Sequence, residues 1–275
     1  MSDSLRLLLT RLSDPVVRDL AWALASPNLL QSSPQTPDHG WYRQLLTEYQ
    51  PRLYELDAAP GVLHAHCRPH RRLGLYFEAL WHFFLLDHSR FQLLAHNWQQ
   101  VIEGTTLGAF DFIVWDQQSQ RIEHWELAVK FYLISNPDEA YEQACGINTR
   151  DKLRHKVEYM LNHQLRLSQH PQIRERLQQQ QLMPQCTRMI MKGRLYYPPS
   201  CQQFLSDQGE RGQWGVEYPD ASFEPQQKLG WLTGGRRSEY QDRRQNFQNK
   251  EGNWYIKVDS EWINEKKEKK EKNET

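Results

Sequence analysis

The sequence predicts a mixed α/β (α+β) fold, helical at its start and built around a sheet in its middle. Three observations carry that prediction. Asp14-Pro15 opens an apolar-periodic run to Ala25, with the carboxylate placed to cap and the proline suited to the first helical turn. Residues 121–133 alternate with period two, so that Trp125, Leu127, Val129, Phe131 and Leu133 share one face and Glu126, Ala128, Lys130 and Tyr132 the other, as in a strand with one dry side. From Leu73 onward the order reads helix, strand, strand, strand, helix, strand.

Taken in turn, a helix over 15–25 is followed by one over 41–56, which Ala59-Pro60-Gly61 ends. The stretch LGLYFEALWHFFLL, 73–86, is apolar nearly all round, as in a helix packed on several sides, and Glu78 is its one acidic residue. Extended runs cover 91–102, 107–115 and 121–133. Helical periodicity resumes from 149 or 150 to 167, with a short helix at 172–180, and 187–197 reads as a strand that Pro198-Pro199 stops. Beyond Ser200 the chain is rich in Gly, Gln and Pro, with one further strand at 254–258. One domain over 1–264 is expected: a helical part at 1–62, a core at 63–200 and an elaboration at 201–264. Residues 265–275, almost all Lys, Glu and Asn, read as a disordered, solvated tail.

With 34 basic and 34 acidic residues the chain has no global charge to attract a polyanion, so any nucleic acid must be held by a local basic patch. The four cysteines form no pair at metal-knuckle spacing and read as reduced thiols. With no apolar run long enough for a membrane helix and no signal-peptide pattern, the expectation is a cytoplasmic protein that does not enter a membrane. No GxSxG elbow, GxGxxG pattern or P-loop is present, which argues against serine-hydrolase and nucleotide-driven chemistry.

Chemistry points instead to the strands. If the polar stretch 116–121 is a hairpin loop pairing Asp116 with Arg121, counting inward rung by rung sets Asp111 opposite Glu126, with Cβ atoms ~5 Å apart. Opposed carboxylates repel, and such a pair calls for a shared proton or a cation. Oxygen ligands of this kind suit Mg²⁺ or Mn²⁺, which leave positions for water and a phosphate. Lys130 lies on the same face, roughly 13 Å along by strand rise, and its side chain can lean back to stabilise charge on a phosphate.

His64-Ala65-His66-Cys67-Arg68-Pro69-His70 has zinc-ligand residue types but no second half-site, and reads as a polar loop before the 73–86 helix. Arg68, Arg71 and Arg72 beside that helix, with Lys152, Arg154 and Lys156 on the later one, are candidate phosphate contacts. Arg236-Arg237 and Arg243-Arg244 read as a solvated loop. Trp115 and Tyr132 lie on the carboxylate face and are the aromatics placed to stack on a base.

RLGLYFEALWHFFL at 72–85, GAFDFIVWD at 108–116, HWELAVKFYL at 124–133, GINTRDKLRHKVEYMLNHQLRLS at 146–168 and KGRLYYP at 192–198 resemble the bacterial family called domain of unknown function 1853. That family is grouped with the PD-(D/E)XK nuclease superfamily. The resemblance implies a restriction-endonuclease-like core of helix, three strands, helix, strand, in agreement with the order above. It also implies a metal-dependent nuclease acting on DNA or RNA, with Asp111, Glu126 and Lys130 as the catalytic cluster. Asp111 and Glu126 would hold the metal, with Glu78 as a helix glutamate that assists. The sequence departs from the superfamily in one respect: the usual acid-to-lysine step is two residues, whereas Glu126 and Lys130 are four apart with Ala128 between. A fold that binds nucleic acid or a protein partner without cutting is the alternative.

Overall fold

Asp14 caps its helix as its position predicts, its carboxylate accepting the Val16 and Val17 N–H groups at 2.9 and 3.1 Å. The structure, a computed structural model, describes residues 3–273 except 32, 69, 207, 208 and 241, and of residues 267–273 only the backbone. Helices α1 (Asp3–Arg11), α2 (Pro15–Ala25), α3 (His39–Ala58), α4 (Gly61–Cys67) and α5 (Leu73–Asp87) come first. Strands β1 (Phe91–Ile102), β2 (Thr105–Asp116) and β3 (Arg121–Leu133) follow, then α6 (Ala140–Gln143), α7 (Leu153–Asn162), α8 (Pro171–Gln179) and β4 (Cys186–Tyr197). The remainder adds β5 (Glu210–Gly215), β6 (Phe223–Pro225), β7 (Gln245–Asn249), β8 (Trp254–Lys257) and α9 (Ser260–Asn273).

All the strands join one eight-stranded sheet in the order β1-β2-β3-β4-β5-β8-β7-β6. β1, β2 and β3 are an antiparallel meander, while β4 lies parallel to β3 after the helical crossover and β5 and β8 continue parallel. The β2–β3 register is the expected one, running from Asp116↔Arg121 to Phe112↔Trp125.

Both faces of β3 are covered, which corrects the expectation of one dry side. Trp125, Leu127, Phe131 and Leu133 pack with Trp22, Leu45, Phe77 and Trp81 of α2, α3 and α5. Ala128 and Tyr132 pack on the other side with Leu153, Val157 and Met160 of α7. At the β3–β4 seam Gly193 sits opposite Lys130 with φ +137°, and a Cβ there would lie 1.7 Å from the Lys130 carbonyl oxygen, so only glycine fits.

Other expectations are corrected. Residues 61–67 form helix α4 rather than a polar loop, because Leu63 and Cys67, one turn apart, are buried in the core. The helix expected from 149 to 167 is shorter: residues 145–152 turn through a β-bridge between Cys145 and Lys152, and α7 stops where His163 leaves helical geometry (φ −122°, ψ −66°) before a 3₁₀ segment, Gln164–Gln169. Residues 201–264 supply four strands, not one, and extend the same sheet. The stretch expected as a tail is helical as far as Asn273, and its start is docked: Glu265 accepts from Thr149 and Arg244 at 2.6 and 2.8 Å. The rest of that expectation, at residues 274 and 275, lies outside the described residues. Arg236 and Arg244 are not solvated either, being paired with Asp19 at 2.5 Å and with Asp259 at 3.1 Å.

Candidate active site

β2 and β3 part company beyond the Phe112↔Trp125 rung, and the next two residues inward are Asp111 and Glu126. There side chains take over from the backbone ladder. Asp111 Oδ2 accepts the Leu127 N–H at 2.8 Å, and Glu126 Oε1 accepts the Asp111 N–H at 3.3 Å. The two acids therefore face each other at a fork in the sheet, as the register from the hairpin loop requires.

Glu126 is wholly buried, and His124 Nε2 stands 2.6 Å from its Oε1. Burial pushes the carboxyls of both Asp111 and Glu126 up, to about 8, and the Glu126 charge adds to the rise at Asp111. The same burial pushes the His124 imidazole down to about 4, so it is the neutral ring that meets Glu126 at neutral pH. The second Glu126 oxygen accepts from the Gln164 side-chain amide, whose carbonyl in turn accepts from Lys156 Nζ at 3.0 Å. Burial lowers the Lys156 pKa and neighbouring Lys130 adds to that, while Asp111, Glu126 and Asp151 hold it back.

Lys130 is differently committed. Its Nζ donates to Asp151 Oδ2 at 2.7 Å, and Tyr132 donates to the other oxygen of the same carboxylate at 3.0 Å. Lys156, reached in sequence only as a candidate phosphate contact, is the lysine whose hydrogen bonds lead to Glu126. His124 was legible in principle, since period two puts it on the face of Glu126. Gln164 carried no signal, because the turn that delivers it is a consequence of how α7 ends.

A cleft of about 400 Å³ opens here, lined among others by Arg72, Gly74, Leu75, Glu78, Asp111 and Gln164. Glu78 reaches it from α5, with His96 Nε2 at 2.8 Å from its Oε1, and its charge raises both buried carboxyls further. The first turn of α5 contributes Gly74 and Leu75. Its leading N–H groups have no partner within the helix, and Arg72 at the cap position carries no side-chain acceptor, so this end of the helix favours an anion.

Arg68, Arg71 and Arg72 are exposed and Lys152 half-buried, whereas Arg154 is taken up by Glu142 and Glu158. Tyr132 is fully buried and cannot stack on a base, and Trp115 is half-buried among apolar neighbours. Of the histidines in the 64–70 stretch, His66 meets His82 at 3.2 Å and His64 bonds Asp14 at 2.8 Å. Among the described residues, no group of three or more His, Cys, Asp or Glu is assembled as a metal cage.

Asp111 and Glu126, with Glu78 from α5, offer carboxylate oxygen alone, the donor type of a hard divalent ion. An incomplete protein shell is what Mg²⁺ and Mn²⁺ accept, since they retain water and take substrate oxygens.

Among the described residues no helix is long and apolar enough to cross a membrane. No curated protein and no solved structure matches the chain. The family model for the domain of unknown function DUF1853 matches residues 18–274, nearly the whole length, and the chain belongs to that family.

Proposed function

We propose that the protein is a metal-dependent phosphodiesterase that cuts nucleic acid, DNA or RNA, with a restriction-endonuclease-like core formed by α5, β1 to β3, α7 and β4. The observation that carries this reading is the facing pair Asp111 and Glu126: Asp111 lines one cleft with the anion-favouring end of α5, and Glu126 lies buried behind it. Bound Mg²⁺ or Mn²⁺ would polarise a phosphate oxygen and lower the pKa of a water. Asp111 and Glu126 would hold it, with Glu78 assisting. Arg72 and the α5 N–H groups would grip a non-bridging phosphate oxygen, and the helix end places partial positive charge beside it.

Lys156 takes the charge-stabilising role in this scheme, because its hydrogen bonds run through Gln164 to Glu126. Lys130, tied to Asp151, acts from behind by adding positive potential at Lys156. His124 holds Glu126 in place. Gln164 donates to its second oxygen.

A second reading, binding without cutting, is favoured by one observation: both Glu126 oxygens are already engaged by protein partners, His124 and Gln164. Incubation of labelled single- and double-stranded DNA and RNA with the protein and Mn²⁺ or Mg²⁺ separates the two. The enzyme reading expects hydrolysis that is lost in EDTA and in Asp111→Asn. No cutting of any substrate with either metal overturns it in favour of binding.

A further inference from the structure

α7 buries Leu153, Val157 and Met160 against the sheet and carries Lys156 and Tyr159 on a different stripe. On that stripe Lys156 reaches Gln164, and hence Glu126, as described above. One turn further on stands Tyr159, an exposed aromatic with 51% of its surface open. Its ring stacks on that of His163, with centroids 4.8 Å apart and planes within 13° of parallel. The Lys156 ammonium lies 5.9 Å from the Tyr159 ring centroid.

The His163 end of the stack lies against the site's own strand. His163 Cε1 lies 3.7 Å from where a Cβ on Gly108 would be, and Gly108 is on β2, three residues from Asp111. One ring face of Tyr159 is covered by His163, and much of the remaining ring is in water. A large exposed ring, held flat by a partner and beside an ammonium whose bonded neighbour Gln164 lines the carboxylate cleft, has the make-up of a stacking platform for single strands: a cation for the backbone and a π-face for the base.

We propose that the Tyr159–His163 stack is a base-binding subsite, and that the preferred ligand is single-stranded nucleic acid. This rests on the nucleic-acid reading of the cleft. Within a duplex both faces of an interior base are covered by its neighbours, so only an unpaired base can lay a free face on Tyr159. Lys156, between the ring and Glu126, sits where the phosphate joining that base to the scissile position would pass. Neither ring needs base-specific hydrogen bonds, and so the subsite tolerates any base.

The experiment is equilibrium binding by fluorescence anisotropy in EDTA, where cutting plays no part. The probes are a labelled oligothymidine, a duplex of the same length, and an abasic oligomer of the same length. Wild type should bind the oligothymidine more tightly than the duplex. Tyr159→Ala should weaken that binding about tenfold, within the range typical of base–aromatic stacking, while Tyr159→Phe, which keeps the ring, should stay near wild type. Affinity for the abasic oligomer should be the same in all three proteins.

Equal loss on the oligothymidine and the abasic oligomer, no loss in Tyr159→Ala, or tighter wild-type binding to the duplex overturns the subsite while leaving the nucleic-acid reading in place. Wild-type protein that binds none of the probes overturns both.

Discussion

Asp111 and Glu126 exchange bonds across the point where two strands separate: the Asp111 N–H reaches the Glu126 carboxylate, and the Asp111 carboxylate takes the Leu127 N–H. Each acid thus has its position set by the other's strand. Burial raises both carboxyls above the usual carboxylate range.

The first prediction is thermal. A divalent ion that binds only the folded protein stabilises it by about 2.7 kcal/mol at a hundredfold excess over Kd, a melting shift of several degrees at ~2–4 °C per kcal/mol. Asp111→Asn removes a buried acid whose ionisation is disfavoured beside Glu126, and one candidate ligand. It should melt no lower than wild type without metal and gain little from millimolar Mn²⁺. A wild type that does not respond, or a variant that responds equally, rules out Asp111 as a ligand.

The two lysines should behave differently. In a nuclease assay Lys156→Ala is expected to cost on the order of 10²-fold in rate with little change in melting, as for loss of a positioned charge stabiliser. Lys130→Ala should cost less in rate and more in stability, because it strands the half-buried Asp151 carboxylate. The reverse ranking would restore Lys130 to the central role that its place in the HWELAVKFYL segment suggests.

Asp116 supplies a pH dependence. Burial alone would raise its pKa, but Arg90, bonded through Nε and Nη2 at 2.8 and 2.9 Å, and Ser119 outweigh it and hold the carboxyl at about 2. A folded pKa below the unfolded value of 3.8 means stability that is present above about pH 4 and lost as pH falls toward 2. Asp116→Asn should therefore be less stable than wild type by about 1–2 kcal/mol at neutral pH. Chemical denaturation should show that difference closing between pH 4 and pH 2, and a constant difference would mean the charge is not what matters.

Gly193→Ala tests the β3–β4 seam. The added Cβ would meet the Lys130 carbonyl oxygen, and the backbone conformation is one that L side chains avoid. A loss of at least about 3 kcal/mol is expected, visible as a large fall in melting temperature or as insoluble protein. Near-normal melting would mean that the two strands can move apart at little cost.

Much of this was set by local sequence. The Asp14-Pro15 start, the period-two run of β3 and the loop 116–121 each rest on contacts between near neighbours, and those fix the β2–β3 register that brings Asp111 to Glu126. The order of elements from α5 to β4 followed from the same short-range rules, since a one-residue slip would have turned buried side chains outward.

Tertiary structure decided the rest. Whether β3 has one covered face or two depends on where α7 lands, which no periodicity within β3 records. β5, β6 and β7 are short and mostly polar, and became legible only as additions to a sheet edge, whereas β8 was read from its own sequence. The partner of a long side chain is settled by which groups other elements deliver within reach: Asp151 comes to Lys130, and the end of α7 brings Gln164 and Lys156 to Glu126. Sequence determined which residues share a face, because backbone geometry is local. It did not determine their partners, because a lysine or carboxylate can reach several neighbours and takes the one that packing places beside it.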